Sequence, residues 1–349
     1  MKKILMKGNE ALAEGAVQGG CQAYFGYPIT PQNEIPAYMS RRMPELNRVF
    51  IQAESELAAI SMVFGASAAG SRTMTSSSSP GISLKQEGIS YLAGCQLPCL
   101  IVNVQRGGPG LGNIAGAQGD YFQATRGGGH GDYRLIVLAP NSVQEMYDLA
   151  YQSFGLADKY RLPALILTDG VIGQMSEPIE IRTFPQPADS TKDWVLDGCR
   201  GRERRLIRSL FMGEGELERQ NNNLQEKYKL IKLNETRWAE ENTEDARIIL
   251  VAFGIAARIA QAAAALCREG GIKAGLFRPI SLFPFPSARL QELAAEKKNF
   301  LVVELNAGQM VEDVRLAVEG KSRVEFYGRM GSGIPSAEEI KEKIEKWFL

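Results

Sequence analysis

Short apolar runs alternate with longer segments of helical spacing along most of the chain. QAYFGYP (22–28), RVFIQ (48–52), RTMT (72–75), CLIVNVQ (99–105), RLIVLAP (134–140) and PALILTD (163–169) have the length and β-branched content of strands. CLIVNVQ is an apolar run of the kind buried on both faces of a parallel sheet. Between these runs the spacing predicts helices. One covers Gly8 to Gly20, with Ala11, Leu12, Ala16 and Val17 on one face. A second starts with Thr30 as cap and Pro31 in its first turn, and turns Ile35, Tyr38 and Met39 inward. A third, rich in Ala and Gly, runs from Glu54 to Gly70 and carries Glu54 and Glu56 in its first turn. Further helices are predicted over Ile82 to Gly94 and from Asn141 or Ser142 to Lys159. Strand and helix in strict alternation imply a doubly wound parallel sheet.

A second alternation starts at Ala246: RIILVAFG, a helix in AARIAQAAAALCREG, KAGLFRP, a helix from Ser287, NFLVVELN, VEDVRLAVEG, SRVEFYG and a terminal helix to Leu349. This predicts a second, smaller α/β domain. The pattern lapses between about Ser176 and Asp245. Pro178, Pro185 and Pro187 mark an extended connector there, and Glu214 to Glu241 reads as one charged, solvated helix. Arg200, Arg202, Arg204, Arg205 and Arg208 form a basic cluster. Such a cluster is ordinarily a solvated face or a set of intersubunit ion pairs; docking of an acidic partner is the alternative.

With 349 residues, 44% hydrophobic and 23% charged, and a formal net charge of zero, the chain has a globular profile. Nothing in that balance argues for nucleic acid or an anionic membrane. The opening MKKILMKGNEALAEG lacks the apolar core of a signal peptide, and no run of about 18 apolar residues follows; the expected compartment is the cytoplasm. Five dispersed cysteines without a CxxC pair, and a single histidine, give no ligand set for zinc or an iron–sulfur cluster. No metal site is expected on this chain.

In a doubly wound sheet, ligands sit beyond the carboxyl ends of the strands. The segments Tyr27–Thr30, Gln52–Glu56, Ser76–Gly81 and Arg106–Gly112 all leave strands in that direction. Residues 110–115 fit G-x-G-x-x-A, but the strand is internal, Arg106 and Pro109 intervene, and no long apolar helix follows, so a dinucleotide fingerprint is poorly matched. GxxxxGK[ST] and GxSxG are both missing, which argues against a P-loop ATPase and a triad hydrolase. His130, in GGGHGD, suits proton chemistry, although a lone histidine is more often structural. An N-terminal helical glutamate likewise usually complements the macrodipole or belongs to a capping box.

Taken together, YPITP (27–31), QAESELAAISMVFGASAAG (52–70), SSSSPGISLKQEG (76–88), VNVQRGGPGLG (102–112), GGGHGDY (127–133), FRPISLFPFP (277–286) and VVELNAGQMVEDVRLAVEG (302–320) resemble the alpha subunit of 2-oxoacid:ferredoxin oxidoreductases. The likeness is strongest to the branched-chain (2-oxoisovalerate) enzyme and covers almost the whole chain. It implies that residues 1–180 form the pyrimidine-binding half of a thiamine diphosphate site. Residues 181–245 would be a linker, and 246–349 a domain like the C-terminal domain of transketolase. Glu56 matches the carboxyl group that hydrogen-bonds the pyrimidine N1′; Glu54 is the rival, more suited to a cap. Tyr27 and Pro28 would line the cofactor. Thr30 matches a substrate-contacting hydroxyl, and Arg106 an arginine that binds the 2-oxoacid carboxylate.

The resemblance also implies that the pyrophosphate and Mg²⁺ belong to a beta subunit; Asp169-Gly170 here lacks the rest of a GDG motif, which fits that division. Iron–sulfur clusters would lie in other subunits, with gamma and ferredoxin-like delta subunits, an external ferredoxin and coenzyme A as partners. Leu111 and the lack of an extra basic residue favour a branched aliphatic substrate. Lys85, if it points into the site, argues instead for the distal carboxylate of 2-oxoglutarate; its helical context favours a structural role. The reading from another class is a non-catalytic nucleotide-binding or scaffold module.

Overall fold

The computed structural model describes residues 3–184, 192–331 and 333–348. Its elements in order are β1 (Lys3–Lys7), α1 (Gly8–Gln18), β2 (Ala23–Gly26), α2 (Glu34–Glu45), β3 (Val49–Gln52), α3 (Glu56–Ala68), β4 (Thr73–Ser77), α4 (Ser79–Gly94) and β5 (Leu100–Gln105). Then come α5 (Tyr121–Arg126), β6 (Ile136–Leu138), α6 (Val143–Tyr160), β7 (Ala164–Asp169), α7 (Gly170–Gln174) and β8 (Ser176–Glu180). After α8 (Glu216–Asn234) follow β9 (Trp238–Glu241), β10 (Ile248–Val251), α9 (Gly254–Glu269), β11 (Ala274–Pro279) and β12 (Ser281–Phe283). The chain closes with α10 (Ser287–Ala295), β13 (Asn299–Glu304), α11 (Met310–Val318), β14 (Val324–Gly328) and α12 (Ala337–Phe348).

Six parallel strands in the order β6-β7-β5-β4-β2-β3 form the first sheet. β2, β4, β5 and β7 are buried along their whole length, as strands covered by helices on both faces must be. β12 joins this sheet antiparallel at β6, although it comes from the second alternation. The second sheet has the order β14-β13-β10-β11-β9, parallel except for β9.

The doubly wound architecture follows the hydrophobic pattern; several local expectations do not hold. The helix expected to start at Thr30-Pro31 starts at Glu34, because the Pro31 carbonyl is taken by Asn9 Nδ2 (2.8 Å) and Gln174 Nε2 (3.1 Å). Those side chains come from α1 and α7 and hold residues 30–33 in the loop. The third helix starts at Glu56, with Ser55 as its cap: Ser55 Oγ accepts from Ala58 N at 3.1 Å. Glu54 therefore lies outside the helix and is exposed, which corrects its placement in the first turn and as a cap. The charged helix ends at Asn234, and Trp238–Glu241 is an edge strand paired with β11. Pro178 lies in β8, which pairs antiparallel with β1; Pro185 and Pro187 lie outside the described residues.

Buried polar groups tie the two sheets together. Gln118 is fully buried; its Nε2 donates to Phe253 O (2.8 Å) and its Oε1 accepts from Leu305 N (3.1 Å). Arg278, almost fully buried, grips Glu145 through two hydrogen bonds of 2.7 and 2.9 Å. Gly254 has φ +57°, and a Cβ there would lie 2.8 Å from Gln118 Nε2 and 3.1 Å from Asp169 Oδ2, so this junction admits only glycine comfortably.

Candidate active site

The loops that follow β2, β3, β4, β5 and β7 converge at the carboxyl edge of the first sheet. Glu56 stands at the start of α3 and is 6% exposed. No described side chain or backbone amide donates to its carboxylate, so burial leaves its acceptor capacity for something other than this chain. The first turn of α4 comes so close that a Cβ on Gly81 would meet Ser77 Oγ at 2.1 Å and Glu56 Oε1 at 2.6 Å. Glycine at 81 is therefore the condition for seating Glu56. The hydroxyls of Ser77 and Ser78 beside it are buried and have no hydrogen-bond partner. A carboxylate without donors and two orphaned hydroxyls at one strand end fit a polar heterocycle bound there.

Arg106 leaves β5 toward Thr30. Its Nη1 donates to Thr30 O (2.9 Å) and its Nη2 to Leu111 O (3.0 Å), while its buried Nε has no partner. Its backbone N–H donates to Ser79 Oγ (3.0 Å), and Ser79 Oγ donates to Asp120 Oδ2 (2.6 Å). Burial raises the Asp120 carboxyl, against the hydrogen bonds from Ser79 and Asn103. Thr30 and Arg106 are thus brought together, with the guanidinium spanning the loops after β2 and β5. Tyr27 and Pro28 are exposed in the same loop, which is held by Gln32 Nε2 donating to Tyr27 O at 3.2 Å.

Lys85 is fully buried. Its Nζ donates to Thr75 Oγ1 (2.8 Å) and Ser76 O (3.1 Å), turned into the sheet. Ser76 Oγ in turn meets Tyr24 OH at 2.7 Å and Gln32 Oε1 at 2.5 Å, so a polar network runs from Lys85 to the Tyr27 loop. Burial lowers the ammonium to about 7, against the opposing pull of the Glu56 charge. An unfolded lysine titrates near 10.4, so between about 7 and 10 the unfolded chain binds more protons and stability rises with pH. Relative to Lys85→Met, the native chain should gain up to about 1.4 kcal/mol per pH unit between pH 7.5 and 9.5, read by urea unfolding. Parallel pH dependences would rule this out.

His130 is exposed, and its carbonyl accepts from Ser90 Oγ at 3.0 Å. Ser90 lies eleven residues along α4 from Ser79, about 16 Å at 1.5 Å per residue. The fold does not bring His130 to Glu56, because the glycine loop lies along the outer part of α4.

A cleft of about 480 Å³ opens beside Thr30, walled by Pro31, Ile114, Ala115, Val171 and Ile334. Leu111 is 82% exposed; its carbonyl faces Arg106, and it is Ile114 that lines the cleft. The charged side chain on the wall is Glu34. Burial opposes its ionisation, but hydrogen bonds from Asn9, its own amide and Gln174, with the Lys7 charge, hold it below the usual carboxylate range. Glu34 carries no motif that sequence spacing could expose, and Asp169, seen in the sequence only as part of an incomplete GDG, is a structural acceptor. Asp169 Oδ1 accepts from Val171 N and Ile172 N, and its Oδ2 from Ile255 N. No cluster of three or more His, Cys, Asp or Glu capable of holding a metal occurs among the described residues.

Residues 14–229 match the thiamine diphosphate-binding domain of pyruvate flavodoxin/ferredoxin oxidoreductases, and 246–340 match core domain II of pyruvate:ferredoxin oxidoreductase. The ketoisovalerate oxidoreductase subunit VorB of Methanothermobacter thermautotrophicus is 52% identical over 99% of this chain and 98% of its own. The chain belongs to the 2-oxoacid:ferredoxin oxidoreductase family, as an alpha-type subunit. The 2-oxoglutarate synthase subunit KorA of the same organism is 34% identical, covering 99% of each chain. The 2-oxoglutarate:ferredoxin oxidoreductase of Magnetococcus marinus, solved with 2-oxoglutarate, coenzyme A and succinyl-CoA bound, superposes with a TM-score of 0.88 at 27% identity. That superposition covers 99% of the oxidoreductase subunit and 65% of the Magnetococcus chain.

Proposed function

We propose that this subunit supplies the pyrimidine side of a thiamine diphosphate site and the substrate cleft of a branched-chain 2-oxoacid:ferredoxin oxidoreductase. The cofactor is shared with a beta subunit that holds its pyrophosphate and Mg²⁺. Iron–sulfur clusters in gamma and delta subunits carry electrons to ferredoxin, and coenzyme A takes the acyl group, in the cytoplasm. Residues 1–180 form the pyrimidine-binding unit and 246–349 the transketolase C-terminal-like unit. Thiamine diphosphate, when bound, supplies the electron sink for decarboxylation.

This chain's residues do the rest of the work at their strand ends. Glu56 Oε1 holds or releases a proton at the pyrimidine ring, in a setting where burial leaves no competing donor. Tyr27 and Pro28 flank the ring. The Arg106 guanidinium, already aimed at Thr30, takes the substrate carboxylate, and the Thr30 hydroxyl orients the 2-oxo group.

The observation that carries the substrate reading is the cleft beside Thr30. Pro31, Ile114, Val171 and Ile334 give it an apolar wall, no Lys or Arg side chain lines it among the described residues, and Glu34, beside Asn33 and Gln174, would repel a second carboxylate. Lys85 is turned away into the sheet. The complex, purified without oxygen, should reduce a viologen dye in a coenzyme A-dependent reaction. Its kcat/KM for 2-oxoisovalerate should exceed that for 2-oxoglutarate at least about tenfold, the factor set by about 1.4 kcal/mol of charge repulsion. A preference for 2-oxoglutarate would overturn the substrate assignment, and no turnover with any 2-oxoacid would overturn the whole reading.

A further inference from the structure

A second charged cleft, of about 390 Å³, lies at the opposite, amino edge of the first sheet. It is built on the turn between α4 and β5 (Cys95, Gln96) and on Arg161, the residue that ends α6 just before β7. Its outer wall is Trp194 and the Arg205–Arg208 segment. The Arg161 guanidinium lies on the Trp194 ring, 4.9 Å from the centroid. Its Nε is buried with no hydrogen-bond partner, and no described carboxylate lies within ion-pair distance of it. Asp193, on the exposed rim, is the carboxylate whose charge reaches it.

Lys227 of α8 stands behind Gln96 and donates to its Oε1 at 2.6 Å, a neutral partner. Burial first, and then the Arg161 charge, lower the Lys227 ammonium to about 8. Arg161 therefore faces the cleft with the Asp193 charge near it but no ion pair, and Lys227 stands behind the cleft wall with Gln96 as its partner. Their charges repel each other and lose hydration, a penalty that a bound anion would relieve. Arg205 and Arg208 add charge at the mouth. Each has some compensation: Arg205 from Val195 O (2.8 Å) and Asp197 (3.5 Å), Arg208 from Glu216 (3.5 Å). Arg161 has the Asp193 charge without an ion pair, and Lys227 has only the neutral Gln96.

We propose that this cleft is a binding site for a phosphate-class anion, held by Arg161 against Trp194 with the Lys227 charge behind Gln96, on the edge of the sheet remote from Glu56. The site would take inorganic phosphate or the phosphate group of a small metabolite. Occupancy would tie α8 and the segment around Trp194 to the ends of α4 and α6, all of which contribute to the cleft.

The test uses the intact complex saturated with thiamine diphosphate and Mg²⁺, so that the cofactor's own diphosphate site is filled. Inorganic phosphate, and separately a phosphate monoester such as glycerol 3-phosphate, is titrated by calorimetry at constant ionic strength. Saturable binding is expected, weakened at least tenfold in both Arg161→Gln and Lys227→Met, with 2-oxoacid turnover within twofold of the native enzyme. Tighter binding of the monoester would identify a metabolite as the source, and equal binding the free ion. If Arg161→Gln fails to fold, Lys227→Met and Arg161→Lys carry the comparison. Absence of saturable binding, or binding unchanged in the variants, overturns the proposal. So does loss of a partner subunit from the variants without phosphate binding by the native complex, since that would assign the cleft to an acidic protein segment.

Discussion

Glu56→Gln is expected to lower kcat by about 10²–10⁴-fold, the range that a positioned proton-transfer group contributes. Glutamine fills the same space and keeps a hydrogen-bonding end, so the close approach to Gly81 survives. What it lacks is an exchangeable carboxyl proton. The measurement is anaerobic turnover of the complex, alongside thiamine diphosphate binding, which should stay within about tenfold because only the proton chemistry has changed. The companion variant Glu54→Gln removes a carboxylate two residues away that is exposed and outside the helix, and should leave turnover within twofold. Equal losses in the two variants would show that the charge of the segment matters and not the buried carboxyl; unchanged turnover in Glu56→Gln would remove Glu56 from the mechanism.

Choosing between those two glutamates shows what the sequence can and cannot carry. Motif likeness favoured Glu56, and burial agrees, since Ser55 takes the cap and turns Glu56 inward while Glu54 stays in solvent. The hydrophobic alternation likewise located the parallel strands, because strands covered on both faces must be apolar. Elements made by distant partners were not legible in the same way. Trp238–Glu241 is polar enough to read as the end of a charged helix and becomes a strand only because β11 offers an edge. β1 and β8 define each other similarly across most of the first domain. The start of α2 was displaced by Asn9 and Gln174, whose amides claim the Pro31 carbonyl from α1 and α7. Gln118 sits in a glycine-rich loop with no periodicity to mark it, yet it joins the two sheets.

Asp169→Ala should be among the most destabilising single changes in the chain. The carboxylate is almost fully buried and accepts from three backbone amides: Val171 and Ile172 at the start of α7, and Ile255 at the start of α9 in the second sheet's layer. Alanine leaves those donors without their acceptor, at about 1–3 kcal/mol each. Part of this is offset, because burial, acting against the three amide hydrogen bonds, raises the native carboxyl from 3.8 to about 6. That displacement corresponds to about 3 kcal/mol of penalty on the ionised form. The net expectation at pH 8 is a loss of about 3 kcal/mol, or a fall in Tm of about 6–12 °C on the scale of larger domains. The sign of the pH dependence is fixed by the raised value. Between about 6 and 4 the folded native chain holds more protons than the unfolded one, so acidification relieves the native penalty and does nothing for alanine. The gap between native and variant should therefore widen from pH 8 to pH 5, by about 1 kcal/mol or more. A gap that narrows on acidification would mean that Asp169 is held in its ionised form, and that the amides of α7 and α9 outweigh its burial.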